Sequence, residues 1–207
     1  MANFAGILRD SICYKMTGEE WDAVIDVHLR GHFALLRNVA AHWREVARDT
    51  DDHLESQRSF LAVSSRAALG TIGQINYSTA KAGVLGLARS AARELIQYNV
   101  RVNALMPSAY TRMIDSIPEE KRSYTKEEKP PGKVAPIVTF LMSDESVDIT
   151  GCTFRASGDG VGIVSDTEVR RVAYRSGGWT AEDIVRAFPE TIGEGANLKR
   201  IERTGDI

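Results

Sequence analysis

Cysteine is scarce in this sequence, and neither sign of charge predominates. Cys13 and Cys152 are the two cysteines among 207 residues, and they lie far apart, with no C-x-x-C pair and no histidines at metal-ligand spacing. A disulfide framework and a zinc site are therefore both unexpected. The formal net charge is −2, so the composition does not indicate nucleic acid or an anionic membrane as a partner.

Long apolar runs are also missing. The sequence has no stretch of about 18 apolar residues, which a membrane-spanning helix would need, and residues 1–6 are too short and uncharged for a secretory signal peptide. Apolar residues make up 43% and charged residues 26% of the chain, which is typical of a globular protein that buries a core. We therefore expect a cytoplasmic protein with two reduced thiols.

Short apolar runs alternate along the chain with segments of helical period. Thr17 and Glu20 have the spacing of a capping box, and apolar residues recur behind them at helical spacing. The predicted strands cover 1–5, 59–64, 100–106 and 152–156, and the predicted helices cover 18–48, 77–98, 134–142 and 180–187. Pro107 is expected to end the third strand. This alternation predicts a parallel, doubly wound α/β sheet, although four strands are few for one.

Tyr77 and Lys81 stand four residues apart on the second predicted helix, so their side chains share one face. An ammonium beside a phenol lowers the pKa of the phenol, which makes tyrosine a usable acid and base near neutral pH. Ser64 ends a predicted strand thirteen residues earlier, at the edge where parallel sheets place their sites. Its hydroxyl could hold a substrate carbonyl while Tyr77 protonates it. Taken alone, however, Tyr77 and Lys81 would also suit an ordinary surface pair.

Two segments together carry a family resemblance. Residues 64–70 and 76–83 resemble the active-site segment of the short-chain dehydrogenase/reductase family. Ala5 and Gly6 resemble the end of that family's Asn-Asn-Ala-Gly strand, and residues 102–107 resemble its sixth strand; the resemblance covers about residues 1–160. It implies a Rossmann-like domain and hydride transfer between a nicotinamide, NAD or NADP, and a small-molecule carbon that bears a hydroxyl or carbonyl.

The resemblance also implies roles for particular residues. Tyr77 would be the acid and base, Lys81 would lower its pKa and hold the nicotinamide ribose, and Ser64 would position the carbonyl. Ser65 is interpreted as a structural neighbour because the spacing of thirteen selects Ser64. The residues that the resemblance places at the cofactor, besides Tyr77 and Lys81, are Asn3, Ala5, Gly6, Pro107 and Thr111.

His28 stands where many family members carry an asparagine that binds water. Two interpretations remain open at this position. The imidazole could hold a water and relay protons in place of the asparagine, or it could be a core histidine whose ring nitrogen is satisfied by a backbone carbonyl. We include His28 among the candidate catalytic residues.

A narrower resemblance suggests a substrate. Residues 6–10, 27–31, 107–113 and 177–180 are together similar to the dehydrogenase domain of the peroxisomal multifunctional enzymes of type 2 and its prokaryotic relatives. That similarity implies a 3-hydroxyacyl-CoA or a comparable hydroxyacyl substrate. Residues 1–164 would then form the catalytic portion, and residues 165–207, where the sequence becomes polar, a C-terminal extension.

Residues 1–207 depart from the family in lacking its T-G-x-x-x-G-x-G phosphate loop. We therefore interpret the chain as the C-terminal part of the fold, with the first strand–helix units missing, and expect residues 1–207 to bind no dinucleotide tightly and to show little activity alone. An alternative function follows from the same absence. The chain could be a non-catalytic or cofactor-deficient remnant that serves as a scaffold or partner subunit.

Self-association is a further expectation. The second predicted helix has a face of small and apolar residues, which would suit close approach by a second subunit: Ala80, Gly83, Val84, Leu87 and Ala91. The first predicted helix has a long apolar face as well. Large exposed apolar faces mark interfaces, and members of the family form dimers or tetramers through these two helices. We therefore expect a homo-oligomer.

Overall fold

The structure, a computed structural model, describes residues 1–49, 57–115, 119, 122–165 and 167–193. The chain divides into two compact units, residues 1–165 and 166–207. The first unit contains the sheet, and residues 167–193, the described part of the second, contain one short α-helix. Among the described residues, no helix is both long enough and apolar enough to cross a membrane.

A five-stranded sheet organises the first unit, with the strands in the order in which they occur along the chain. The strands are β1 (Ala2–Asn3), β2 (Arg58–Val63), β3 (Val100–Ser108), β4 (Thr153–Ser157) and β5 (Gly160–Val164). The first four strands are parallel, and β5 returns antiparallel along β4. The predicted parallel α/β sheet is therefore confirmed.

The helices agree closely with the periodicity of the sequence. They are α1 (Gly18–Ile25), α2 (Gly31–Asp49), α3 (Ile75–Leu95), α4 (Arg112–Asp115), α5 (Ala135–Met142) and, in the second unit, α6 (Ala181–Ala187). The predicted capping box is present, because the N–H of Glu20 donates to Thr17 while the carboxylate of Glu20 accepts from the N–H of Thr17. The single long helix predicted over 18–48 is wrong in one detail: a π-helical turn at Asp26–Arg30 separates α1 from α2.

Two strand predictions also need correction. The strand β5 was not predicted, because Gly160 and Gly162 weaken the strand pattern; Gly158 adopts a φ of 56° and allows the tight turn that pairs β5 with β4. Pro107 does not end β3. Its nitrogen faces the side of β2, and β2 has already ended at Val63, so no ladder hydrogen bond is lost there.

Helices cover both faces of the sheet. On one face, α2 and α3 pack on β2 and β3 around a core that includes Phe60 and Val102. On the other face, α5 packs on the same two strands around Leu61 and Leu105. Adjacent residues of β2 thus enter opposite cores, as the pleat requires. The small-residue face of α3 belongs to the first core, where Ala80, Val84 and Ala91 are buried; the expectation that these residues meet a second subunit is therefore wrong.

Arg101, the second residue of β3, is a fully buried charged residue, with 0% of its surface exposed. Its guanidinium donates to the carbonyl oxygens of Ser143 (2.9 Å), Ser146 (2.7 Å) and Leu141 (3.4 Å). These carbonyls lie at and beyond the C-terminal end of α5, where backbone acceptors lack helical partners. A cation is also favoured by the helix dipole at that end. Arg101 therefore ties α5 to the sheet.

We predict that Arg101→Met lowers the free energy of unfolding by at least about 2 kcal/mol, because buried carbonyls lose their donor. Urea unfolding followed by circular dichroism measures the change. Arg93→Met in α3 is the matched control, since Arg93 is exposed, and it should alter stability by less than about 0.5 kcal/mol. Equal effects of the two substitutions would contradict the role of Arg101.

Candidate active site

Three parallel strands end at one edge of the sheet and bring the candidate residues together. Asn3 lies level with Ala62, which lies level with Ala104, so the ends of β1 and β2 are aligned with each other, while β3 continues to Ser108. Parallel sheets bind ligands at this carboxyl edge. The segments that follow are Ala5 and Gly6 after β1, Ser64 and Ser65 after β2, and Pro107 at the end of β3.

Helix α3 begins close to this edge and carries Tyr77 and Lys81 in its first two turns. The Nζ atom of Lys81 lies 5.5 Å from the centroid of the Tyr77 ring, so the two side chains share a face as predicted. Lys81 is only 3% exposed, and its Nζ donates a 2.7 Å hydrogen bond to the carbonyl of Val63. The lysine is therefore held in place at the end of β2 and is not free on the surface.

The electrostatics differ from the sequence-based expectation. Burial lowers the pKa of Lys81 to about 8. Burial raises the pKa of Tyr77, and the hydrogen bond with the Ser65 side chain opposes that rise only in part. The Tyr77 pKa thus lies above its ordinary value and not below it as the sequence predicts, because desolvation outweighs the attraction of the nearby Lys81 cation. Tyr77 is a protonated phenol at neutral pH.

The two adjacent serines point in different directions. Ser64 is buried, and its hydroxyl donates a 2.7 Å hydrogen bond to the carbonyl of Lys81. Ser65 is half-buried, accepts a hydrogen bond from the N–H of Ala67 (3.2 Å), and places its hydroxyl at Tyr77. Successive side chains of extended chain point to opposite sides, so only one of the two can face the phenol. The geometry supports Ser65 and does not support the sequence-based choice of Ser64.

His28 lies in the π turn, with only 1% of its surface exposed. Its Nε2 is 2.8 Å from the carbonyl oxygen of Ile7, and its ring meets the ring of Tyr77 edge-on, with centroids 4.9 Å apart. A Cβ atom at Gly6 would stand 2.8 Å from the His28 ring, so glycine permits this close approach. His28 thus meets the second interpretation, because its ring nitrogen is satisfied by a backbone carbonyl. Its role in holding a water and relaying protons stays a prediction.

The charge state of His28 follows from its surroundings. Burial, reinforced by the positive charge of Lys81, lowers the pKa of His28 to about 4, and the hydrogen bond to Ile7 opposes this only in part. The imidazole is therefore neutral near pH 7. Its Nδ1 atom is buried without a hydrogen-bond partner among the described residues, so the ring retains one polar atom that a water could satisfy.

The other residues named from the sequence lie around this centre. Asn3 is buried, and its side-chain oxygen accepts a hydrogen bond from the N–H of Ala5 (3.1 Å). Ala5 and Gly6 are exposed at the strand end, Pro107 is half-buried within β3, and Thr111 is exposed just before α4. In the described part of the chain, no group of three or more His, Cys, Asp or Glu residues could hold a metal ion.

Asn76 is a site residue that sequence reasoning missed. It is fully buried, and its amide donates to the carbonyls of Arg9 (2.9 Å) and Glu20 (3.1 Å), while its oxygen accepts from the N–H of Tyr77 (2.7 Å). One carboxamide therefore joins the loop after β1, helix α1 and the first turn of α3. In the sequence, the feature that could have identified Asn76 as a site residue is its position next to Tyr77. A buried residue with both donors and acceptor in use is an orienting group for its neighbours.

The fold and this set of side chains define a class of oxidoreductases. A family model described as enoyl-(acyl carrier protein) reductase matches residues 1–158. With the parallel sheet and the tyrosine–lysine pair at its carboxyl edge, this match shows that the chain belongs to the short-chain dehydrogenase/reductase family.

Particular members of the family are similar over most of the chain. Hydroxyacyl-CoA dehydrogenase ChsB1 of Mycobacterium tuberculosis is 39% identical over 175 residues, which cover 83% of this chain and 55% of that protein. The (3R)-3-hydroxyacyl-CoA dehydrogenase of Rattus norvegicus is 36% identical over 162 residues, which cover 74% of this chain and 60% of that protein. The chain thus spans about half to three fifths of the length of these curated relatives.

Solved structures show the same fold. A short-chain dehydrogenase from Mycobacterium avium superposes with a TM-score of 0.80 at 33% identity, covering 93% of this chain and 62% of that one. The full-length peroxisomal multifunctional enzyme type 2 of Drosophila melanogaster superposes with a TM-score of 0.73 at 24% identity, covering 98% of this chain and 38% of that one. The second likeness supports the fold alone.

The low pKa of His28 predicts an acid-sensitive stability. Above pH 6.5 the histidine is neutral in both the folded and the unfolded state. Between pH 6.5 and about pH 4 the unfolded chain binds a proton that the native chain does not, so the free energy of unfolding decreases as the pH is lowered. In His28→Asn this contribution is absent, because asparagine does not titrate. Urea unfolding at several pH values from 7 to 4 should therefore show a steeper loss for the parent than for the variant. Parallel curves would contradict the buried, neutral state of His28.

Proposed function

We propose that this chain is the catalytic part of an NAD(P)-dependent dehydrogenase that acts on 3-hydroxyacyl thioesters or their 3-oxo counterparts. The observation that carries the proposal is the convergence of Ser65, Lys81 and His28 around the phenol of Tyr77 at the carboxyl edge of a parallel sheet. A proton donor, a hydroxyl beside it and a fixed cation are what reversible reduction of a carbonyl needs.

The described residues fit the nicotinamide end of a dinucleotide. An ammonium group has three N–H donors, and the described hydrogen bond of Lys81 to Val63 uses one of them. The others are suited to the hydroxyls of a ribose. Ala5 and Gly6 expose backbone at the neighbouring strand end, where glycine adds no side chain. We assign Lys81 and Tyr77 to the ribose, and Asn3, Ala5, Gly6, Pro107 and Thr111 to the surroundings of the ring.

Tyr77 supplies the proton in this scheme. When bound, the nicotinamide would supply or accept the hydride at the substrate carbon. Tyr77 is a neutral phenol at pH 7, so it is ready to donate its proton to the carbonyl oxygen as that oxygen gains negative charge. Ser65 holds the same oxygen through its hydroxyl, and the Lys81 charge stabilises the phenolate that remains. In the reverse direction, the phenolate takes the proton from the substrate hydroxyl.

The substrate class is inferred from the relatives. ChsB1 is named a hydroxyacyl-CoA dehydrogenase, the rat protein a (3R)-3-hydroxyacyl-CoA dehydrogenase, and a protein of Thermotoga maritima that is 36% identical over 159 residues is named 3-oxoacyl-[acyl-carrier-protein] reductase. All three names describe a hydroxyl or carbonyl on an acyl thioester, and two of them place it at position three. We therefore propose this group as the reacting group here, with NAD or NADP as the hydride carrier.

The alternative function is a non-catalytic or cofactor-deficient scaffold or partner subunit. Fluorescence titration with NADH and NADPH separates the two functions. It uses this chain and any longer form that its gene encodes. Micromolar binding in either form supports the dehydrogenase, whereas no binding in both supports the scaffold.

A homo-oligomer remains part of the proposal. On α2, Phe33 (54%) and Leu35 (38%) are exposed apolar side chains, which a second subunit could cover. The small-residue face of α3 lies in the core and does not serve this purpose.

Replacement of Tyr77 by phenylalanine tests the proposed proton donor. Tyr77→Phe should lower kcat for acetoacetyl-CoA reduction by at least about 10²-fold, the lower range for loss of a general acid, because the ring remains and the proton is lost. The rate of NAD(P)H oxidation gives kcat, measured on this chain or, if only that turns over, on a longer form that its gene encodes. A variant within a few-fold of the parent would refute the role of Tyr77.

The two serines make a matched pair for a second test. Ser65→Ala should lower kcat by about tenfold or more, since a donor to the developing oxyanion is lost, and should affect stability only through its half-buried hydrogen bond from the N–H of Ala67. Ser64→Ala should mainly lower stability, by about 1 kcal/mol, because a buried hydrogen bond to Lys81 disappears. Steady-state kinetics and urea unfolding of both variants provide the measurements. The reverse pattern would restore Ser64 as the substrate-binding serine.

A further inference from the structure

His32 has no place in the proposed catalytic set, yet it connects the segments that carry that set. It lies in the first turn of α2 and has 0% of its surface exposed. Its Nε2 is 3.1 Å from the backbone nitrogen of Val63, and its Nδ1 is 2.5 Å from the carbonyl oxygen of His28. The side-chain amide of Asn3 lies 3.2 Å from the same Nδ1. One ring therefore spans β1, β2 and the π turn.

The partners of His32 determine its tautomer. The N–H of Val63 can only donate, so Nε2 must carry no proton, and the carbonyl of His28 can only accept, so Nδ1 must carry one. Burial lowers the pKa of His32 and keeps the ring neutral. A protonated ring would turn a second donor toward the N–H of Val63. The neutral Nδ1–H form is thus the form that satisfies the Val63 N–H and the His28 carbonyl. In this form the side-chain N–H of Asn3 contacts Nδ1 without a hydrogen bond, because both groups are donors.

Val63 joins this histidine to the catalytic lysine. Its N–H donates to His32, and its carbonyl accepts from the Nζ of Lys81 at 2.7 Å. The side chains of two different helices thus hold adjacent peptide groups of one strand residue. A displacement of Val63 would move the acceptor that keeps Lys81 beside Tyr77.

The π turn at Asp26–Arg30 is hydrogen-bonded to the ring of His32. Within this turn the N–H of Gly31 reaches the carbonyl of Asp26, five residues back. A π turn changes the direction of the carbonyls that follow, and the carbonyl of His28 accepts the Nδ1–H of His32. The orientation of the His28 ring against Tyr77 is set by this backbone.

We propose that His32 is a positioning residue, which holds the end of β2 against the π turn so that Lys81 and His28 stay on either side of Tyr77. The proposal deepens the function proposed above and rests on it only for its kinetic consequence. The structural consequence, a fixed environment of Lys81, is independent of which substrate or cofactor the protein uses.

The first test is the tautomer of His32 in the unmodified chain. Long-range ¹H–¹⁵N correlation spectra of ¹⁵N-histidine-labelled protein at pH 7 distinguish protonated from bare ring nitrogens, and the loss of one set of signals in His32→Gln assigns them. We expect a protonated Nδ1 and a bare Nε2. A ring protonated at Nε2 would overturn the proposal, because it could not accept from Val63.

The second test measures the pKa of Lys81 through the ¹³Cε shift of labelled lysine, with Lys81→Met as the assignment control. In His32→Asn the short amide can reach His28 but not Val63, so water should enter and raise the Lys81 pKa, which burial holds at about 8, by at least about 0.5 unit. In His32→Gln the longer carboxamide oxygen can accept from Val63, so the pKa should stay near that of the parent.

Leu36→Ala is the matched control for general destabilisation. Leu36 is buried one turn further along α2 in the apolar core and takes no part in these hydrogen bonds. It should destabilise the chain and leave the Lys81 pKa unchanged. An equal shift in Leu36→Ala and His32→Asn, or no shift in His32→Asn, would show a merely structural role and overturn the proposal.

Kinetics in a form that turns over provide the last readout. His32→Asn should lower kcat by about tenfold or more, since misplacement of a catalytic group is costly, and His32→Gln should recover most of the loss. Equal losses in both variants would overturn the proposal. If neither this chain nor a longer form shows turnover, the proposed function fails, while the tautomer and the Lys81 pKa still decide the role of His32.

Discussion

Two opposed hydrogen bonds between α3 and the end of β2 are the constraint on which the site depends. The Nζ of Lys81 donates to the carbonyl of Val63, and the hydroxyl of Ser64 donates to the carbonyl of Lys81, both at 2.7 Å. Because both bonds are buried, breaking either one would leave a donor and an acceptor without a partner, which costs free energy. The helix therefore cannot slide along the strand, and Tyr77, one turn before Lys81, is held at the edge of the sheet.

Burial also sets the charges at this place. Lys81, His28 and His32 are three basic side chains within one buried cluster, and desolvation lowers the pKa of each. Below about pH 8 the lysine is charged, and at pH 7 both imidazoles are neutral. A single positive charge thus stands beside the phenol, while the histidines act through fixed donors and acceptors. This division suits a site in which one group moves a proton and the surrounding groups keep it in place.

Much of this arrangement could be predicted from local sequence pattern. The capping box at Thr17, the helix that carries Tyr77 and Lys81, and the buried apolar strands are confirmed, because each depends on residues close together in the chain. The strand β5 could not be predicted, since its glycines weaken the strand pattern and its pairing depends on β4. The continuation of β3 through Pro107 likewise depends on where β2 ends.

The sequence by itself determined which residues share a helix face and which apolar runs are buried, because both follow from the period of the backbone. Only the tertiary structure decided which serine faces Tyr77, because the hydroxyl of Ser64 donates its hydrogen bond to the carbonyl of Lys81 in α3. It also decided the direction of the Tyr77 pKa, which the pairing with Lys81 alone predicted wrongly. Desolvation depends on everything packed around a group, and no short stretch of sequence contains that information.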